Sequence, residues 1–326
     1  MIKRILVAVL AFVASVSLGC GADAADKLRL AIQKTGTAAW EIELIKARGL
    51  DKAANLDIET IELASTDASK VALEGGAADM TLGDWLWAAR ERALGDKLLF
   101  APYSSALGAV MAPKDSPVYA VADLAGRSIG VAGGPIDKSW LLLRAAALGQ
   151  GIDLAKNARP TYAAPPLIAE KLAQGEVETA LEFWNFCADL EGRGFRRAIE
   201  MADVEKALGA SGPVAMTGYV FSESFAATHK DVLKRYFAAV GEARKILAQD
   251  PVAWAPIKAR LRLKDDAALE VYRQRYLDGI PKRTIAEEAA DARTLYRRLA
   301  EIGGPELVGE AKELDMRLFY DPMTGE

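Results

Sequence analysis

The stretch 28–33, LRLAIQ, reads as a strand, and 57–63, DIETIEL, alternates polar and apolar side chains as a strand with one buried face does. Between them 38–48 reads as a helix closed by Gly49. Ser65, Thr66 and Asp67 can cap a second helix that runs to Leu73 and stops at Gly75-Gly76. A short buried strand at 80–83 and a helix at 85–94 complete a βαβαβα run, which predicts a mostly parallel sheet covered by helices.

The pattern then returns. Residues 73–87, LEGGAADMTLGDWLW, align with 172–186, LAQGEVETALEFWNF, so that Leu73 meets Leu172, Gly76 meets Gly175, Asp79 meets Glu178 and Trp85 meets Trp184. The spacing is the size of a small domain, not of a solenoid unit. The second copy supplies a strand at 128–132, a helix at 138–148, a strand near 158–162, a helix at 167–173 and a strand at 178–182, and Trp40 and Trp140 fall in matching helices. The fold class expected is therefore α/β with two lobes, each a mostly parallel sheet flanked by helices, and a ligand cleft between them.

Residues 98–111, LLFAPYSSALGAVM, read as two strands around a polar turn, followed by the breaker segment 113–117. The chain is expected to change lobes near 113–118 and to return near 216–221. That gives a first lobe of 25–113 plus 219–326 and a second of 118–217. Residues 230–318 carry no strand signal and have Pro251, Pro256 and Pro281 as breaks; this helical tail is expected to pack on the first lobe.

Composition sharpens the class. The 326 residues are 51% hydrophobic and 26% charged, enough to bury two modest cores. Residues 1–24 have Lys3 and Arg4, an apolar run from 5 to 18, and small residues ending in Ala22-Asp23-Ala24, the form of a cleaved secretory signal. Lipidation at Cys20 is the lesser expectation, because Ser17 stands where a lipoprotein signal takes a branched apolar residue. Cleavage after Ala24 leaves Cys187 as the only cysteine, hence no intramolecular disulfide, and moves the formal charge from −4 to −5. A mildly acidic chain without a basic aromatic stripe is not expected to bind nucleic acid.

In open parallel sheets ligands sit at the carboxyl ends of the strands, so the cleft loops can be named in advance. From the first lobe come Lys34, Thr35 and Thr37 with Trp40 behind them, then Thr66 and Asp67, Asp84 and Trp85, and Tyr103 and Ser104. From the second come Gly133, Gly134, Asp137, Lys138 and Ser139, whose turn can offer backbone N–H groups to a polar or anionic group, and Glu182, Trp184 and Asn185. Tyr219 lies at the return crossing. Tryptophans here either stack on a planar ligand or pack the core. Asp67, Asp84, Asp137 and Glu182 face only Lys34 and Lys138, a mixed site that favours a zwitterionic or amine-bearing solute unless the carboxylates merely cap helices. A hard cation on those carboxylates is a weaker reading; neither metal nor cofactor is expected.

The segments WEIELIKARGL, ALEGGAADMTLGD, APKDSPVYAVADLAGRSIGVAGG and KLAQGEVETALEFW resemble the nitrate, sulfonate and taurine class of ABC-transporter solute-binding proteins, which includes binders of the thiamine pyrimidine precursor. The resemblance spans about 27–220 and is most specific at KDSPVYAVADLAGRSIGV. It implies a type II periplasmic-binding-protein fold and a periplasmic, monomeric clamp that delivers a small solute, sulfonate- or pyrimidine-like, to an inner-membrane permease and its ATPase. Two rivals remain. An enzyme of pyrimidine synthesis shares the fold, but His229 and Cys187 form no nucleophile and base pair in sequence, so no catalysis is expected. The other is a metal-binding or ligand-delivering periplasmic protein without a permease.

Overall fold

The computed structural model describes residues 24–263 and 265–325, and the leader expected at 1–24, with Cys20, lies outside them apart from Ala24. Among the described residues ten strands form two five-stranded sheets. The first contains β1 (Asp26–Gln33), β2 (Leu56–Leu63), β3 (Met80–Asp84), β4 (Leu98–Ser104) and β10 (Thr217–Ser222), in the order β2-β1-β3-β10-β4. The second contains β5 (Ala109–Ala112), β6 (Ser128–Ala132), β7 (Arg159–Ala163), β8 (Thr179–Glu182) and β9 (Arg196–Glu200), in the order β7-β6-β8-β5-β9.

The two orders are the same path drawn twice. In each sheet three parallel strands are followed by one antiparallel strand, β10 in the first and β5 in the second. The matched carboxylates of the repeat do the same work in both copies. Asp79 accepts from the backbone N–H of Arg29 at 2.8 Å, and Glu178 accepts from that of Ser128 at 2.7 Å, each tying the start of a central strand to its parallel neighbour. The periodicity is thus architectural at that position, and ligand chemistry must be sought further along the repeat.

The first passage between sheets differs from the expectation. β5 hydrogen-bonds with β8 and β9, so the chain crosses in 105–108, before the breaker segment 113–117 and not within it. An apolar segment as short as Ala109–Ala112 reads as the second arm of a hairpin, and nothing local marks that it joins another sheet. The return lies between β9 and β10, in 201–216.

The tail also divides. Helices Lys230–Gln249 and Asp266–Asp278 pack with the first sheet's core through Leu233, Tyr236, Tyr272 and Tyr276. Helix Ile285–Gly303 instead packs on helix Lys138–Leu148 of the second sheet, burying Leu295, Tyr296 and Leu299 in a core shared with Trp140. The segment 279–284 is therefore a third passage, tied to the other two. Ser105 donates its N–H to the Gly279 carbonyl at 2.8 Å, and Arg283 donates to the Pro213 carbonyl at 3.2 Å and to Asp291 at 2.8 Å.

Candidate functional site

Between the sheets lies a cavity of about 210 Å³. Its walls are turns that leave parallel strands and open helices: Gly36 to Ala38 after β1, Ser65 to Asp67 after β2, Asp84 after β3, Gly133 to Ser139 after β6, Ala164-Pro165 after β7 and Phe183 to Asn185 after β8. Six helix N-termini converge there, and a helix start carries first-turn N–H groups that find no carbonyl one turn back unless a cap or proline takes them away.

How these ends are capped decides what they can offer. Ser65 accepts from Ala68 N–H at 3.2 Å, Asp84 from Trp87 N–H at 2.8 Å, and Asp137 from Ser139 N–H at 2.9 Å. Helices Ala38–Ala47 and Trp184–Gly192 have no side-chain cap; Trp40 and Phe186 N–H turn back to the Thr37 and Phe183 carbonyls, and the N–H groups of Ala38, Ala39, Trp184 and Asn185 remain for a ligand. Helix Pro165–Ala173 begins with two prolines and supplies a dipole but no donor there.

Thr37, Thr66, Asp67, Asp84, Tyr103, Ser104, Gly133, Gly134, Asp137, Lys138, Ser139, Trp184 and Asn185 all line the cavity. Six expected residues do not. Lys34 and Thr35 point to solvent, because the turn after β1 brings Gly36 and Thr37 inward instead. Trp40 is 2% exposed and packs edge-on against Trp184 and Trp254 at 5.9 and 6.3 Å. Trp85 is buried in the core beneath its helix. Tyr219 is buried and donates to Glu41 at 3.4 Å. Glu182 is buried behind the wall, where only its neighbours Phe183 and Trp184 reach the cavity.

Five polar lining residues are absent from the expected set: Gln33 and Thr217 at strand ends, and Ser65, Ser69 and Lys70 around one helix start. The signal for the last three was the first turn after a cap, since Lys70 lies one helical turn beyond Thr66 on the same face. Its ammonium sits 5.1 Å from the Trp87 ring and 3.8 Å from Asp67, while Lys138 stands 5.2 Å from the Phe183 ring. Behind the wall, Glu41 accepts from Arg244 Nε at 3.0 Å and from the Tyr276 hydroxyl, and Arg244 donates to the Tyr103 carbonyl at 3.0 Å. The Tyr103 hydroxyl in turn meets Thr37 Oγ1 at 3.2 Å, so a buried ion pair fixes two cavity-lining side chains.

Burial holds the Asp137 carboxyl above its ordinary pKa; Lys138 opposes the shift and Asp84 adds to it. Burial pushes Glu182 further, well above the usual carboxylate range, against the hydrogen bond from Phe183 N–H, and one of its oxygens has no partner. A carboxyl whose folded pKa is raised binds more protons folded than unfolded, so stability falls as pH rises through the window above about 4.5. Glu182→Gln should flatten that decline and stabilise the protein at pH 8 by on the order of 1 kcal/mol. Melting temperatures of both proteins across pH 4 to 8 check this (roughly the window of carboxylate linkage), and parallel curves would refute it. Cys187 is buried too, its thiol pushed up to about 12 by burial, which keeps it protonated. His229 is exposed on a helix end, stacked on Phe225 at 4.4 Å and away from the cavity.

Two helix-flanked mixed sheets of the same order, facing each other across a cleft, define the periplasmic-binding-protein fold. The chain belongs to the NMT1/THI5-like family, whose model matches residues 44–253. It is similar to the alkanesulfonate-binding protein SsuA from Xanthomonas axonopodis pv. citri bound to MOPS, with a TM-score of 0.70 and 18% identity over 90% of this chain and 98% of that one. It is also similar to the periplasmic aliphatic sulphonate binding protein SsuA from Escherichia coli, at 0.68 and 22% over 90% and 96%. A third likeness is to the zinc-bound ligand-binding component of an ABC-type import system from Staphylococcus aureus, at 0.63 and 12% over 85% and 91%. At these identities the likeness is one of fold. No curated protein matches the chain.

Proposed function

We propose that the protein is the solute-binding component of an ABC importer, clamping a small organic anion between its two sheets and presenting it to a permease and ATPase. The observation that carries this reading is the convergence of helix N-termini on one cavity beside Lys70 and Lys138. The mixed-charge site expected from sequence shifts toward an anion because Asp84 and Asp137 are occupied as caps and Glu182 is withdrawn, while Lys70 takes the place of Lys34. The sulfonate-binding neighbours support the same choice of head group. The leader read at 1–24 would deliver the chain to the periplasm, where it would act as a monomer.

Solute touching the loops of both sheets would favour the closed arrangement, with passages 105–108, 201–216 and 279–284 bending as it closes. Trp184 couples the two events: it lines the cavity from the second sheet while its ring packs on Trp40 and Tyr272 of the first sheet's core. A thermal-shift panel of sulfonates, carboxylates, amines and pyrimidines tests the reading. An anion at a hundred times its Kd should add about 2.7 kcal/mol of stability; a panel in which only amines stabilise would overturn the anion assignment.

A further inference from the structure

A second cavity of about 280 Å³ adjoins the first, and Lys70 and Ile136 line both. Its remaining apolar walls are Leu86, Trp87, Leu94 and Leu141. The same Trp87 ring backs the first cavity, for a Cβ at Gly83 would lie 2.8 Å from it. Among the charged lining groups the signs balance, Lys70 and Arg90 against Glu91 and Glu310. Arg90 already donates to the Leu307 carbonyl, and Lys70 rests between the Trp87 ring and Asp67. Apolar contact is therefore what this space has most to offer.

We propose that the side cavity receives the apolar tail of the solute whose anionic head sits among the helix N-termini, making the substrate class an elongated amphiphilic anion. The inference rests on the function proposed above and adds the size and shape of the ligand. The head stays where donors converge, and the tail passes Lys70 and Ile136 to lie between helices Trp85–Leu94 and Lys138–Leu148. Arg90 Nε is buried without a partner, so a second anionic end is the competing occupant of this space.

The test is calorimetric titration of the full mature chain with unbranched sulfonates and carboxylates of increasing length, together with the matching dianions. Affinity should climb about fourfold per added methylene once the tail reaches the side cavity. Ile136→Trp and Leu94→Asp, a gate and an exposed rim residue, should each flatten that slope, which is read within each variant and does not depend on its overall stability. A flat series with short anions still bound would overturn the tail site and leave the anion site standing. Dianions bound more tightly than monoanions of equal length, or a slope unchanged in both variants, would also overturn the tail site. No binding of any anion would overturn both proposals.

Discussion

Glu41→Ala is expected to lower the stability of the protein by roughly 3–5 kcal/mol, the cost of leaving a buried cation unpaired. Glu41 has no exposed surface, and its carboxylate is the charged partner of Arg244, itself packed over the Tyr103 ring at 4.9 Å. Burial alone would lower the pKa of Arg244, but the Glu41 charge together with the surrounding Tyr276, Tyr219 and Tyr103 more than reverses this, so the guanidinium stays charged. Removing the carboxylate also strips the Tyr276 and Tyr219 hydroxyls of their acceptor. Glu43→Ala, two residues along the same helix and half-exposed beside Arg260, provides the contrast and should cost less than about 1 kcal/mol. Urea unfolding of the two variants measures the difference, and equal costs would show that the Glu41 network does not carry the wall of the cavity. Glu41→Ala should also weaken solute binding, because Thr37 and Tyr103 lose their support.

Gly108→Ala should be at least as damaging. The added methyl would lie 1.4 Å from the Glu182 carbonyl oxygen and 3.0 Å from the Phe183 Cα, both backbone atoms of the neighbouring strand end, so no side-chain rotation relieves the clash. Either β5 leaves β8 or the chain moves away from the cavity wall, at a cost above about 3 kcal/mol. Gly241→Ala, in a helix with nothing within 4 Å of the new methyl, should instead stabilise by roughly 0.5–1 kcal/mol. Melting temperatures that place the two variants within a degree of each other would contradict this account of the first passage.

The local signals that made the strands and helices of the repeat readable were strong because caps and glycine stops agree with the apolar pattern. Ser65 caps its helix, and helices 85–94 and 138–148 occupy the expected residues. Much of the cavity was legible for the same reason, since a turn after a parallel strand must face the cleft. What periodicity cannot say is on which side of a strand or helix end a large side chain comes to rest. Trp40 in a helix's first turn and Tyr219 on a strand lie near the cavity, yet their rings fill the space behind it; Lys70, within the body of its helix, reaches in. The sheet change at 105–108 was hidden because pairing partners far apart in sequence, Ala109 with Glu182 and Glu200, determine it. The division of the tail is a long-range fact of the same kind, visible only once Leu295 and Tyr296 meet the helix that carries Trp140.

The central claim is that an organic anion is held where helix N-termini and Lys138 converge between the sheets. Calorimetric titration of the tightest-binding anion into wild type and Lys138→Ala tests it most directly, with Lys34→Ala as the control whose side chain lies outside the cavity. The account predicts that Lys138→Ala weakens binding by about tenfold or more, the worth of a lost charge-assisted contact, while Lys34→Ala leaves it unchanged. Equal affinity in wild type and Lys138→Ala, or a loss confined to Lys34→Ala, would contradict it.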